Sequence, residues 1–250
     1  MKLLFLITLL VATVSLSYAD TITIVADEWL PYTGSEKDQN GYLIEIAKTI
    51  FSKHGHTVVF KNVPWSRAVD EAANGQYSAI AGGYRSDAPN FIYPSNEQGY
   101  GIDAFFVLNE STWTFKDVSS LSSITLGTIQ DYSYGDDIDA YIGKNSSSGK
   151  INALTGTDNL TMRQIQMLQQ KKINAFIENK NVLYYIVKKN AITGIKEAGS
   201  RAGAKIYIAF SPKNPKSVEY AKILSDGMSE IRTSGELKKI LDKYGLKDWK

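Results

Sequence analysis

The chain has 250 residues with 28 basic and 26 acidic side chains, a formal net charge of +2, so it lacks the strongly basic face that nucleic-acid binding requires. It contains no cysteine, which excludes disulfides, thiol nucleophiles, cysteine–metal centres and a lipid-anchor cysteine. One or two domains fit this length, with cores large enough to need no covalent staple.

Residues 1–19 stand apart. Lys2 precedes the apolar run from Leu3 to Val14, and Ser17-Tyr18-Ala19 precedes Asp20. A positive start, an apolar core and small residues before a cut predict a cleaved secretory signal peptide. The alternative is a membrane anchor, for which the run is short. Lys2 is the only charge removed, so the mature chain would carry +2 − 1 = +1 and lie in the periplasm.

Thr21 to Ala26 alternates and is β-branched, which predicts a strand. It runs into the loop Asp27-Glu-Trp-Leu-Pro-Tyr32. Leu43, Ile46, Ala47, Ile50 and Phe51 share one helical face, and Gly55 is a stop. His56 to Val63 reads as a strand, Pro64 opens a short helix ending at Gly75, and Ser78 to Gly82 reads as a third strand. Such a β-α-β-α-β order predicts a parallel sheet with right-handed crossovers. Gly101 to Leu108 is a further apolar strand, followed by a Ser/Thr-rich stretch to Ser123. Ile124 to Ile129 restarts the alternation, leading through Gln130–Gly135 to a helix from Asp136 to Ile142. Next come a strand at Ile151–Leu154, a helix Asn159–Gln170 with Asp158 as its expected cap, a strand Ile173–Ile177 ending in Glu178-Asn179, and a helix Val182–Lys188. Lys205–Phe210 is a last strand, before helices Ser217–Arg232 and Leu237–Tyr244. The repeated α/β pattern predicts two lobes.

The stretch from Ala79 to Pro89 draws most attention. Gly82 and Gly83 at a strand end would let backbone approach a ligand closely, and Tyr84, Arg85 and Asp87 follow at the tip, where open α/β sheets bind ligands. An ordinary surface turn has the same composition. His54 and His56 read as a solvated turn rather than a metal site. No Ser-His-Asp order, phosphate loop or zinc spacing is present, so no cofactor and no metal is expected.

Several motifs in order resemble the extracellular solute-binding proteins of family 3, which serve polar amino-acid ABC importers. They are Ile24–Tyr32, Asn40–Lys48, Val63–Val69, Asn74–Gly82, Leu126–Gln130, Met167–Ala175 and Ser234–Gly245, spread over nearly all of residues 21–249. The resemblance implies a type II periplasmic binding protein fold. Its two α/β lobes would be joined by a two-crossing hinge, with residues 20–108 plus 201–250 in lobe 1 and 109–200 in lobe 2. It implies capture of a small polar solute, an amino acid or related compound, in an interlobe cleft. Delivery would be to an ABC-transporter permease in the inner membrane, by a monomer that performs no chemistry. Trp29 and Trp65 match the family's aromatic walls, with Asp27 beside the first, and Gly83 and Tyr84 lie at the third strand's end. The family's carboxylate-clamping arginine is missing: Asp87 lies nearest its position, and Arg85 comes earlier. Glu178 and Asn179 stand where the family keeps an ammonium-binding aspartate. Tyr132, Ser133 and Tyr134 replace its anion-binding turn. Two alternatives remain open. One is a sensor input for a separate membrane receptor. The other is an enzyme resembling cyclohexadienyl dehydratases, with Glu178 as the acid.

Overall fold

The computed structural model describes residues 19–35 and 39–250. Apart from Ala19, the expected leader lies outside the described residues.

Two five-stranded sheets organise the chain. The first runs β2-β1-β3-β10-β4, from β1 (Thr21–Ala26), β2 (Thr57–Asn62), β3 (Ala79–Gly83), β4 (Gly99–Gly101) and β10 (Ala204–Phe210). The second runs β7-β6-β8-β5-β9, from β5 (Asp103–Leu108), β6 (Leu126–Ile129), β7 (Ile151–Leu154), β8 (Ala175–Asn179) and β9 (Ile195–Ser200). The pairs β1–β2, β1–β3, β6–β7 and β6–β8 are parallel, as the alternating order predicts. Both sheets become mixed, because β10 pairs antiparallel with β3 and β4, and β5 with β8 and β9.

α1 (Tyr42–Lys53), α2 (Trp65–Ala73), α6 (Ser217–Thr233) and α7 (Glu236–Lys243) enclose the first core. The apolar stripe read on the first helix is buried throughout: Leu43, Ile46, Ala47, Ile50 and Phe51 are 0–1 % exposed. α4 (Leu160–Gln169) and α5 (Lys180–Lys189) pack on β8, and α3 (Asp136–Asn145) buries its Ile138 in one cluster with Leu121.

Four sequence expectations need correction. The apolar run from Gly101 to Leu108 is two strands in different sheets, broken at Ile102, so the boundary expected after Leu108 falls at Ile102. The return crossing lies between β9 and β10, at residues 201–203. Asp158 does not cap α4; Asn159 holds the N-cap position, and Asp158 accepts a hydrogen bond from Asn62 Nδ2 of the other lobe at 2.6 Å. His56 is buried rather than solvated: its ring packs edge-on to Phe51 and Tyr220, and its Nδ1 accepts from the Asp20 amide at 3.2 Å.

Candidate ligand cleft

The cleft begins where β1 and β3 end. Gly82 has φ +97, in the region that favours glycine, and a Cβ there would stand 3.4 Å from Trp29 Cε3. A Cβ on Gly83 would stand 3.2 Å from Trp65 Cη2. The paired glycines thus seat the two tryptophans, a use of the missing side chains different from the direct ligand approach expected of them. Trp29 also stacks on Tyr32, with centroids 4.2 Å apart and planes at 20°. Tyr132, from the loop after β6 in the other lobe, stands edge-on to both indoles, at 6.4 Å from Trp29 and 6.5 Å from Trp65. These rings border a small cavity, which Asp27, Thr33, Tyr84, Asp87 and Ser133 also line.

Two carboxylates face that space from the first lobe. Asp27 is 3 % exposed; Tyr132 donates its hydroxyl hydrogen to Asp27 Oδ2 at 2.6 Å, and no side chain fills Oδ1. Burial pushes the Asp27 carboxyl up to about 7, with the Tyr132 hydrogen bond pulling the other way. Asp87 Oδ2 accepts from the Tyr84 amide at 2.6 Å, while its buried Oδ1 has no hydrogen-bond partner. Burial also raises this carboxyl to about 7, opposed by the Tyr84 amide and assisted by the nearby charges of Asp139 and Asp103.

In the second lobe Glu178 is filled from within the protein, while the buried Asn179 Nδ2 has no hydrogen-bond partner. Glu178 is 2 % exposed and lies outside the cavity lining. It accepts from Trp29 Nε1 at 3.1 Å, the Thr161 hydroxyl at 2.6 Å and the Asn179 amide at 2.7 Å. Burial raises its carboxyl to about 7. Asn179 caps α5 by accepting from the Asn181 amide, and its oxygen stands 3.0 Å from the Tyr32 hydroxyl. Its Nδ2 packs against Gly101, where a Cβ would stand 2.1 Å away. Asp139 of α3 accepts from the Ser133 hydroxyl at 2.8 Å and the Tyr134 amide at 2.8 Å. An internal carboxylate therefore sits on the donors of the turn expected to hold an anion. Tyr134 itself is core: its ring packs with Phe105, Leu126 and Ile177, and its hydroxyl accepts from the Ile129 amide at 2.9 Å.

Of the residues singled out in the sequence, Asp27, Trp29, Trp65, Tyr84, Asp87, Tyr132 and Ser133 converge on the cavity, with Gly83 behind Trp65. Tyr134, Glu178 and Asn179 do not reach it. Arg85 turns outward instead, its guanidinium carbon 4.6 Å from the Tyr93 ring centre and 4.8 Å from that of Tyr207. This cation–π clasp removes it from the clamp position. Sequence reasoning missed Thr33, whose hydroxyl donates to the Asp27 carbonyl at 2.8 Å and shapes the loop. It also missed Asp139, for which an acid in the first turn of α3 was the available signal. Asp103, at the first crossing, is a third: burial raises its carboxyl to about 6, and the Tyr84 hydroxyl lies 3.4 Å away.

The lobes are drawn together. Besides the Tyr132–Asp27, Trp29–Glu178 and Asn62–Asp158 bonds, the Glu28 amide donates to the Thr157 carbonyl at 3.0 Å and the Tyr185 hydroxyl to Gln39 Oε1 at 2.8 Å. Two mixed α/β sheets, two crossings and an aromatic cavity between the lobes define a type II binding-protein architecture. The chain belongs to the bacterial extracellular solute-binding proteins, family 3, whose description matches residues 22–247. No curated protein matches the sequence. Among solved structures, a histidine kinase sensor domain with similarity to periplasmic binding proteins has a TM-score of 0.74 at 17 % identity, covering 90 % of this chain and 95 % of that one. A structure from glutathione import via GshT and the cystine ABC importer TcyBC of Streptococcus mutans has a TM-score of 0.73 at 18 % identity, covering 91 % and 95 %. An ancestral arginine-binding protein bound to arginine has a TM-score of 0.68 at 19 % identity, covering 90 % and 97 %. At these identities the likeness is one of fold.

Proposed function

We propose that this protein captures a small polar solute between its lobes and hands it to a separate ABC-transporter permease in the inner membrane, acting as a secreted periplasmic monomer with no catalytic step. The observation that carries this reading is the Asp27–Tyr132 hydrogen bond, made across the cavity by residues of opposite lobes. A solute that replaces or extends that bond touches both lobes at once, so recognition and closure become one equilibrium. Membership of the family supports the same reading.

The likeness to a histidine kinase sensor domain favours a second reading, in which the same capture reports to a receptor. The dehydratase-like reading loses its motive, because Glu178 is enclosed by Trp29, Thr161 and Asn179 outside the cavity. A thermal-shift and calorimetric screen of polar metabolites tests capture. The expected result is a saturable shift with no turnover, and loss of uptake when the gene is deleted. A deletion that spares uptake but abolishes a transcriptional response would select the sensor role. No shift with any solute, or substrate turnover, would contradict capture.

A further inference from the structure

The cleft is acidic on every face that meets it. Asp27 and Asp87 line its interior, and Asp70, Asp131, Asp136 and Asp139 surround the adjoining mouth. Among the described residues no lysine, arginine or histidine lines either space. Three arginines are engaged elsewhere: Arg67 donates to Glu71 at 2.7 Å, Arg85 stacks on Tyr93 and Tyr207, and Arg201 forks onto Asp137 at 2.6 and 3.2 Å. The one turn that could hold an anion already holds the Asp139 carboxylate. A ligand carboxylate would therefore find no cation, no unfilled donor pair and several like charges.

A positive group finds the opposite. Asp87 Oδ1 is buried with no hydrogen bond, since the single Ser133 hydroxyl hydrogen goes to Asp139. Asp27, nearly fully buried, lines the same cavity and accepts one side-chain hydrogen bond, from Tyr132. An unpartnered buried acceptor is costly, and an N–H donor of a cation is the partner that relieves it best. Trp29, Trp65 and Tyr132 supply three ring surfaces around the space, which suits an ammonium or guanidinium ion.

We propose that the solute is an organic cation without a carboxylate, its charged nitrogen held by Asp27 and Asp87 among the rings of Trp29, Trp65 and Tyr132. This rests on the capture reading above and narrows it to a ligand class. Primary amines and guanidines carry such a nitrogen with N–H donors for both carboxylates.

Matched pairs that differ by the carboxylate give the test: agmatine against arginine and cadaverine against lysine, titrated calorimetrically into the full mature chain. The expected result is that at least one carboxylate-free member binds about 100-fold or more tightly than its partner. Asp27→Asn and Asp87→Asn should each weaken that binding about tenfold or more, while Arg85→Gln, outside the cleft, should leave it unchanged. Circular dichroism and melting of each variant separate misfolding from lost recognition. Equal or tighter binding of the carboxylate-bearing partners would overturn the proposal while leaving capture intact. So would tight binding of a neutral or anionic solute that both Asp→Asn variants retain. Failure of every pair and of the wider metabolite screen would overturn the capture reading itself.

Discussion

Asp27 and Glu178 stand at strand ends on facing lobes, 3 % and 2 % exposed, and burial raises each carboxyl to about 7. By position, burial and acidity they are near twins, yet their hydrogen bonding separates them. Glu178 accepts three hydrogen bonds from Trp29, Thr161 and Asn179. Asp27 accepts one side-chain bond, from Tyr132, and lines the cavity. The same contrast separates Asp87, with a buried unpartnered oxygen, from Ser133 and Tyr134, whose donors already serve Asp139. A polar residue at a strand tip becomes a recognition group only when the protein leaves part of its hydrogen-bonding capacity unfilled. In this cleft the first lobe supplies the carboxylates that face the cavity, and the second supplies Tyr132 as a cover; its Glu178 is filled internally, while the buried, unpartnered Asn179 Nδ2 lies outside the cavity lining.

The largest way to break this contrast is to remove a wall of the first lobe. Trp65 is 8 % exposed and seated on Gly83, so Trp65→Ala should destabilise the protein by about 3 kcal/mol in denaturant unfolding and abolish solute binding. Next comes Asp139→Ala. It strips the acceptor from the Ser133 hydroxyl and Tyr134 amide, and should cost about 1–2 kcal/mol of stability. It should also narrow the discrimination against carboxylate-bearing solutes, measured as the agmatine-to-arginine affinity ratio, because the freed donors can then accept a ligand anion. An unchanged ratio would mean that Asp139 is only a turn brace. Tyr132→Phe is smaller: loss of one cross-cleft hydrogen bond to Asp27 should shift closure by about 1 kcal/mol, read as a weaker affinity with unaltered fold.

The acidity of the closed cleft adds a dependence on pH. Closure moves Asp27 and Asp87 from an ordinary value of 3.8 to about 7, so the closed form favours their protonated state. Glu178 and Asp103 shift in the same direction. Closure is then unhindered below about pH 4 and is progressively opposed as pH rises to about 7. Small-angle scattering of the ligand-free protein should give a smaller radius of gyration near pH 5.5 than near pH 8, and the reverse order would contradict it.

How much of this was legible in the chain follows from which forces were local. Periodicity in α1 and β-branched alternation in β1 reveal themselves because each element's own residues form the buried face. The strand β9, Ile195-Lys-Glu-Ala-Gly-Ser200, escaped notice, since it lacks alternation and exists through pairing with β5. The break at Ile102 was hidden inside a run that reads as one apolar strand, because sheet membership is decided by β10 and β8, far away in sequence. Trp29, Trp65 and Asp27, singled out from their place after β1 and at the start of α2, line the candidate cavity. Arg85 was misread because its fate depends on Tyr93 and Tyr207, and Glu178 because Trp29 and Thr161 fill it.

The paired carboxylates give the most direct measurement. Agmatine affinity should be determined by calorimetry for Asp27→Asn and Glu178→Gln side by side, two substitutions that neutralise equally buried acids on opposite lobes. Asp27 lines the cavity and Glu178 does not, which predicts a loss of about tenfold or more for the first and a change within about twofold for the second. Equal losses, or a larger loss at Glu178, would contradict the assignment of recognition to the first lobe.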